Sequence, residues 1–246
     1  KYHKGFEPMP PGFSYVPLND IAALREAVTE NTAAVMLEPS QGESGINPCT
    51  DEYLQAVRAL CDERGMLLIF DEIQSGLGRT GKFFAHQWAG VRGDIVTLAK
   101  GLANGVPIGA LLASEEVATA FSPGTHGSTF GGNFLSSTAA LATLGVLFEE
   151  NLMENAAQTG EYFSERLKKW GENAGILTEV RGRGLMIGVE LNQPVARTLM
   201  EKSLENGLIF NAVGDRVLRF LPPLNITTGD VDEAIEKLET ARQSLA

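Results

Sequence analysis

The chain alternates between short apolar runs and longer stretches in which apolar residues recur at helical spacing. Four runs in the first part predict buried strands, at residues 32–37, 66–71, 95–99 and 108–113. Residues 19–30 and 50–64 predict amphipathic helices, the second with Thr50 as N-cap and Gly65 as its stop. Strands that are apolar throughout are typical of a mostly parallel sheet covered by helices on both faces.

The pattern changes near residue 150, after an alanine- and leucine-rich helix predicted at 133–149. The ranges that follow predict, in order, a long amphipathic helix, two strands, a helix, a strand and a helix. These ranges are 152–170, 176–181, 185–191, 195–205, 216–221 and 229–242. We therefore expect two domains: residues 1–150, and a smaller α/β domain with an antiparallel sheet at residues 151–246.

Composition narrows the class of protein. The chain has 246 residues, 43% of them hydrophobic, and its net charge of −11 argues against nucleic acid or an anionic membrane as the main partner. No apolar run approaches the roughly 18 residues that span a bilayer. Cys49 and Cys61 have neither disulfide-framework nor CxxC spacing, so we expect a reducing cytoplasm. Residues 1–13 have the composition of a loop, with no signal-peptide pattern, so we also expect a natural N-terminal part before Lys1.

Two polar residues stand where predicted strands end. Asp71 ends one apolar run, and Lys100 follows another and precedes a series of small residues. Because the carboxyl ends of parallel strands meet at one edge of a sheet, a carboxylate and an amine there are well placed to hold a cofactor. A lysine in such surroundings loses its proton more readily and can attack a carbonyl carbon. The alternative is that Lys100 is an exposed lysine at the start of a loop.

The three residues that directly follow Asp71 are further candidates. Glu72 and Asp71 together could bind magnesium, or could simply cap a helix or face solvent. The chain has no GxxxxGK[ST] phosphate loop to accompany a magnesium site, and adjacent strand residues point to opposite faces. Gln74 could donate a hydrogen bond to a phenolic oxygen, and Ile73 could lie flat against a ring.

Two more groups of residues carry candidate chemistry. Residues 126–133 place Ser128 and Thr129 among glycines before a predicted helix, which suits phosphate, although Ser and Thr are also common helix caps. Glu43 and Arg219 could form a pair that switches a substrate-binding charge on and off. A surface salt bridge that contributes little is the alternative for this pair.

Together these segments resemble the class III, pyridoxal-phosphate-dependent aminotransferases of fold type I. The matching stretches occur in the family's order and extend over nearly the whole chain. They are residues 38–43, 70–81, 98–101, 126–133, 181–184 and 219–224. The resemblance implies a mostly parallel sheet in a three-layer α/β/α large domain, present in part, and a smaller C-terminal α/β domain with an antiparallel sheet.

The resemblance also implies roles for the candidate residues. Lys100 is the Schiff-base lysine and moves the proton between the substrate Cα and the cofactor. The cofactor-binding residues it implies are Asp71, which pairs with the pyridinium nitrogen, and Glu72, Ile73, Gln74, Lys100 and Thr129. The substrate-binding residues it implies are Ser128, Glu43 and Arg219. It implies amino-acid and 2-oxo-acid substrates, no metal, and a homodimer in which Thr129 reaches the phosphate of the neighbouring subunit.

The chain departs from the family's pattern in two ways. Phe134 stands where the family usually has proline, which we expect to adjust only a helix start. The family's N-terminal phosphate loop, cofactor-stacking aromatic ring and carboxylate-binding arginine do not occur before Lys1. We therefore expect an isolated chain of this length to be inactive.

Overall fold

In the computed structural model, which describes residues 3–245, strands and helices alternate along the chain. The helices are α1 (Ile21–Ala27), α2 (Asp51–Arg64), α3 (Glu115–Ala118), α4 (Phe134–Glu149), α5 (Leu152–Asn173), α6 (Ala196–Glu205) and α7 (Thr228–Gln243). The strands are β1 (Ala34–Leu37), β2 (Ser40–Gln41), β3 (Asn47–Pro48), β4 (Leu67–Asp71), β5 (Ile95–Leu98), β6 (Ala110–Ala113), β7 (Leu177–Arg183), β8 (Met186–Leu191), β9 (Asn211–Val213) and β10 (Val217–Phe220). None of the helices among these residues is long and apolar enough to cross a bilayer.

The first sheet has the strand order β1-β4-β5-β6. Strand β4 pairs in parallel with β1 on one side and with β5 on the other, while β6 runs antiparallel to β5. The connection from β5 to β6 is too short for a helical crossover, which a parallel pair would need, so the chain turns back. The prediction of a mostly parallel sheet is confirmed.

The second sheet has the order β7-β8-β10-β9, and every pair in it is antiparallel. The prediction of an antiparallel sheet in the C-terminal part is therefore confirmed. Helices α5, α6 and α7 enclose a core against this sheet that includes Leu167, Ile187, Leu199 and Leu218. Burial of such side chains is the main favourable term in holding these elements together.

Separate clusters of buried side chains lie in the two parts of the chain. One forms where α2 packs on β4 and β5, and it contains Leu60, Leu68 and Phe70. The C-terminal cluster described above shares no residue with it. This separation supports our proposal that the domains divide near residue 150.

The first sheet is covered only in part by residues 3–245. Met36 on β1 and Leu111 on β6 are 58% and 56% exposed. Parts of the edge strands β1 and β6 are therefore uncovered in the described part of the chain, as expected of a large domain that is present in part.

Helix α4 begins where the sequence predicts. The side chain of Asn133 accepts a hydrogen bond from the Ser136 backbone N–H and caps the helix, with Phe134 as its first residue. The helix is apolar on all sides, and Phe134, Leu135, Leu141 and Phe148 are exposed.

Candidate active site

The ends of β4 and β5 bring the first pair of candidates to one edge of the sheet. Asp71 ends β4, and Lys100 begins a 3₁₀ turn directly after β5. Because these strands are parallel neighbours with Asp71 opposite Thr97, both residues lie at the same edge. Lys100 is exposed and has a φ of 42°, a conformation that non-glycine residues adopt mostly where a turn or a functional site demands it.

The surroundings of Asp71 orient its carboxylate. Its Oδ1 accepts a hydrogen bond from the Ile73 backbone N–H at 3.0 Å. Thr97 lies on the same face of the sheet because it is the cross-strand neighbour of Asp71. Its buried Oγ1 has no hydrogen-bond partner among residues 3–245, so a polar group is left for something else to satisfy.

Glu38 is a member of this group that the sequence analysis did not assign a role. It follows β1, the other parallel neighbour of β4, and its Oε2 accepts from the Gly42 backbone N–H at 3.1 Å. Burial raises the pKa of Glu38, and the nearby Asp71 carboxylate also raises it, while the Lys100 ammonium opposes the shift. The signal was available in the sequence, since Glu38 ends an apolar run as Asp71 does.

Glu43 and Arg219 form an ion pair that joins the two parts of the chain. Arg219 Nη1 lies 3.0 Å from Glu43 Oε1, and Gln74 Nε2 donates to the same oxygen at 3.0 Å. Hydrogen bonds from Gln74 and then from Arg219 lower the pKa of Glu43. Arg219 also donates to the Gly42 carbonyl at 3.2 Å, so a strand of the second sheet is held against the loop of Glu43.

Gln74 is confined by its neighbours. A Cβ at Gly42 would lie 1.7 Å from Gln74 Oε1, so only glycine there allows the amide its position. Gln74 Oε1 and Arg219 Nε are both buried without a partner among the described residues. Like Thr97 Oγ1, these two atoms can form hydrogen bonds for which residues 3–245 supply no partner.

The side chain of Glu72 does not lie with Asp71 and Lys100 at this edge of the sheet. Its side chain is fully buried, and both of its carboxylate oxygens accept hydrogen bonds from protein groups. Adjacent strand residues face opposite sides, so this side chain lies on the closed side of the strand, opposite Asp71. The role of Glu72 toward the cofactor remains a prediction.

A cavity of about 600 Å³ lies at this edge of the sheet. Ile73, Gln74, Arg79 and Lys100 contribute to its wall. Burial lowers the pKa of Arg79 to about 10, and its Nη1 donates to the Leu185 carbonyl at 3.1 Å. Ile73 and Lys100 thus line the same cavity, and the role of Ile73 against a bound ring remains a prediction.

Ser128 and Thr129 lie in an exposed loop that leads into α4. Ser128 Oγ accepts from the Gly131 backbone N–H at 3.0 Å. Within residues 3–245 no hydrogen bond joins either of them to Asp71, Gln74 or Lys100. Their roles toward phosphate and substrate remain predictions.

A family model described as aminotransferase class-III matches residues 1–241. The chain belongs to the class-III aminotransferase family. Members of this family depend on pyridoxal phosphate, and the prediction of the fold type I architecture is confirmed.

Individual relatives agree with the family. An acetylornithine aminotransferase of Methanocaldococcus jannaschii is 51% identical over 97% of this chain and 60% of its own length. An ornithine aminotransferase of Staphylococcus carnosus is 48% identical with the same coverage of both chains. The crystal structure of the ornithine aminotransferase from Toxoplasma gondii ME49 superposes with a TM-score of 0.93 at 38% identity, covering 99% of this chain and 59% of that one. The chain thus spans about 60% of the length of the curated relatives it matches.

The class-III cofactor fits the side chains at this sheet edge. Pyridoxal phosphate has an aldehyde, a ring nitrogen that binds a proton, and a phenolic oxygen. Lys100 offers an amine, Asp71 a carboxylate, and Gln74 an amide. Thr97 Oγ1 and Gln74 Oε1 are further buried polar atoms without a hydrogen-bond partner among residues 3–245. No cluster of three or more His, Cys, Asp or Glu in residues 3–245 is arranged to hold a metal ion.

Proposed function

We propose that this chain forms part of the active site of a pyridoxal-phosphate-dependent aminotransferase. Its substrates would be N2-acetyl-L-ornithine and 2-oxoglutarate, and its products N-acetyl-L-glutamate 5-semialdehyde and L-glutamate, in arginine biosynthesis. The observation that carries the proposal is the meeting of Asp71 and Lys100 at one sheet edge, beside an Arg219–Glu43 pair that contacts Gln74.

The chain's own residues have distinct tasks in this reaction. When bound, pyridoxal phosphate supplies an aldehyde that captures amines and a ring that withdraws electrons. Asp71 would keep the ring nitrogen protonated, because a carboxylate favours the charged form of a neighbouring base. Lys100 would hold the cofactor through its amine and would carry the proton at the substrate Cα. Gln74 would donate to the phenolic oxygen, and Ile73 would pack against the ring.

Arg219 and Glu43 allow one pocket to accept two substrates. Paired with Glu43, Arg219 is neutralised, and the pocket would admit the amino donor, whose reacting carbon carries no carboxylate. Released from Glu43, Arg219 can bind a substrate carboxylate through two parallel hydrogen bonds. Because Gln74 also donates to Glu43 Oε1, that carboxylate keeps a partner when Arg219 moves away.

The choice of amino donor rests on the sequence and on the relatives. Residues 102–110 and 217–227 favour the acetylornithine members of the family, and a relative of that name is 51% identical. Ornithine aminotransferases are also close relatives, so ornithine is the main alternative donor, with succinylornithine and 4-aminobutyrate behind it. The free, buried Cys49 and Cys61 support the cytoplasmic location expected from the sequence.

Helix α4 supports a homodimer as the functional assembly. A helix that is apolar on all sides is typical of a fully buried helix, yet Phe134 is 95% exposed and Leu141 is 71% exposed. A second copy of the chain would cover this face and bring the Ser128–Thr129 loop near a neighbouring site. A Leu141→Asp variant is then expected to dissociate in sedimentation experiments. The matched control Leu204→Asp, on the exposed side of α6, is expected to remain a dimer.

The test of the cofactor assignment uses the purified protein with pyridoxal phosphate. Borohydride reduction is expected to fix the cofactor on the peptide that carries Lys100, as seen by mass spectrometry. Lys100→Ala is expected to abolish this labelling, whereas Lys82→Ala, which alters a lysine stacked on Trp88, retains it. Labelling that persists in Lys100→Ala contradicts the assignment. Turnover of acetylornithine, ornithine and 4-aminobutyrate with 2-oxoglutarate then identifies the donor.

A further inference from the structure

Glu72 is a buried carboxylate in the middle of the cofactor-binding segment, between Asp71 and Ile73 in sequence. Its side chain is 0% exposed, and four donors converge on it. Ser75 Oγ and the Ala85 backbone N–H donate to Oε2 at 2.8 and 2.9 Å. The backbone N–H and the ring Nδ1 of His86 both lie 2.9 Å from Oε1. A carboxylate is the side chain that accepts from four donors at once.

His86, which supplies two of these four donors, is itself held in place. Its ring is buried and stacks on Phe70 with centroids 4.8 Å apart and planes 8° apart. Phe84 stacks on it at 5.2 Å and 15°. Because Phe70 belongs to β4 and Phe84 to the loop that follows, the ring fixes the distance between the strand and this loop.

The main chain of Glu72 completes a clamp. Its N–H donates to the Thr97 carbonyl at 3.0 Å, and its carbonyl accepts from the Gly76 N–H at 3.0 Å. The turn 72–76 is therefore tied to β5 by the backbone and to residues 85–86 by the side chain. Asp71 Oδ1 depends on this turn because it accepts from the Ile73 N–H, and Gln74 projects from the turn toward Glu43.

We propose that Glu72, clamped to His86 and the Ala85 and His86 backbone, is a positioning residue that sets the orientation of Asp71 and Gln74 toward the ring nitrogen and phenolic oxygen of the cofactor. The inference rests on the proposed function for the identity of the cofactor. In the Glu72→Gln variant an NH₂ group takes the place of one acceptor oxygen. This NH₂ group faces an N–H or O–H donor and cannot accept a hydrogen bond from it. The turn must shift to relieve this contact, and Asp71 and Gln74 shift with it.

The experiment compares Glu72→Gln with Asp94→Asn in the purified protein. Asp94 is a matched control, because its Oδ2 accepts from the Leu68 N–H at 2.7 Å and from Arg58 at 2.8 Å at the opposite end of β4. Both variants are expected to lower the melting temperature. The readouts are the dissociation constant of pyridoxal phosphate by equilibrium dialysis and the pH midpoint of the absorbance of the bound cofactor.

We expect Glu72→Gln to weaken pyridoxal phosphate binding about tenfold, which corresponds to the loss of about one hydrogen bond. We also expect it to move the pH midpoint of the absorbance by about half a pH unit or more. Asp94→Asn is expected to change neither readout. If Glu72→Gln does not fold, Ser75→Ala removes only one of the four donors and is expected to weaken binding about threefold.

Three results separate the possible failures. The positioning role is refuted if the Glu72 or Ser75 variant loses thermal stability while both cofactor readouts stay at the wild-type values. It is equally refuted if Asp94→Asn moves them by the same amount. If wild-type protein shows no Lys100-dependent absorbance with pyridoxal phosphate, it is the proposed function that fails.

Discussion

The junction between the two parts of the chain depends on Gly184, which lies between β7 and β8 with a φ of 54°. A Cβ at this position would lie 2.5 Å from the Thr80 backbone carbon and 2.9 Å from the Arg79 carbonyl oxygen. Both contacts are with backbone, so no side-chain rotation can relieve them. Gly184→Ala is therefore expected to push the turn away from the loop that continues from Gln74 to Gly81.

The expected loss has three contributions. The left-handed conformation costs an alanine about 1 kcal/mol. Forcing a methyl group into a filled contact costs about 1–3 kcal/mol. The hydrogen bonds from the Leu185 N–H to the Arg79 carbonyl and from Arg79 to the Leu185 carbonyl, at 3.0 and 3.1 Å, contribute about 1 kcal/mol each if they break. The total of about 4–6 kcal/mol corresponds to a melting temperature lower by about 8–24 °C for a chain of this size.

Gly175→Ala is the matched control, because Gly175 has a similar φ of 68° and nothing within 4 Å of its Cβ position. Only the conformational contribution of about 1 kcal/mol applies to it. Thermal and urea unfolding of the two variants isolate the close approach at Gly184. Equal melting temperatures for the two variants would show that the junction is not packed as described.

Three further outcomes follow from the structure. Glu239→Gln is expected to lower stability by about 1 kcal/mol at pH 7, because hydrogen bonding from Arg242 holds the pKa of Glu239 at about 2 and solvent screens this partly exposed pair. Since that pKa is depressed on folding, the difference in urea midpoints is expected to shrink as pH falls from about 4.5 toward 2. Gly42→Ala is expected to displace the Gln74 amide and weaken pyridoxal phosphate binding about three- to tenfold in equilibrium dialysis, with little change in melting temperature. Leu167→Ala, at a fully buried position, is expected to cost about 2–5 kcal/mol in urea unfolding.

Elements with local signals were predicted well from the sequence. Helix α2 has its cap and stop at Thr50 and Gly65, as predicted, because both signals act through the adjacent backbone. Helix α5 continues past the predicted end at Trp170 to Asn173. Gly171 lies inside the helix and packs closely, since a Cβ there would lie 3.0 Å from Leu177. Strand β9 was missed because three residues at a sheet edge carry too little pattern.

In the candidate site, too, features set by nearby sequence could be predicted, and features set by contacts between distant residues could not. Asp71 and Lys100 could be placed at one edge because strand ends and parallel pairing can be inferred from the chain alone. The role of Glu72 could not, since two of its donors belong to residues 85–86, beyond a loop whose path the sequence does not indicate. The positive φ of Lys100 is likewise a tertiary feature, imposed by the turn after β5.

The free edges of the first sheet bear on how this chain behaves in solution. Strands β1 and β6 end the sheet within residues 3–245, so each presents a row of backbone groups without a neighbouring strand. The exposed Met36 and Leu111 lie on these same strands. Unpaired edges beside apolar side chains are templates for adding another strand. These two edges are therefore routes to disordered self-association that would compete with the homodimer proposed through α4.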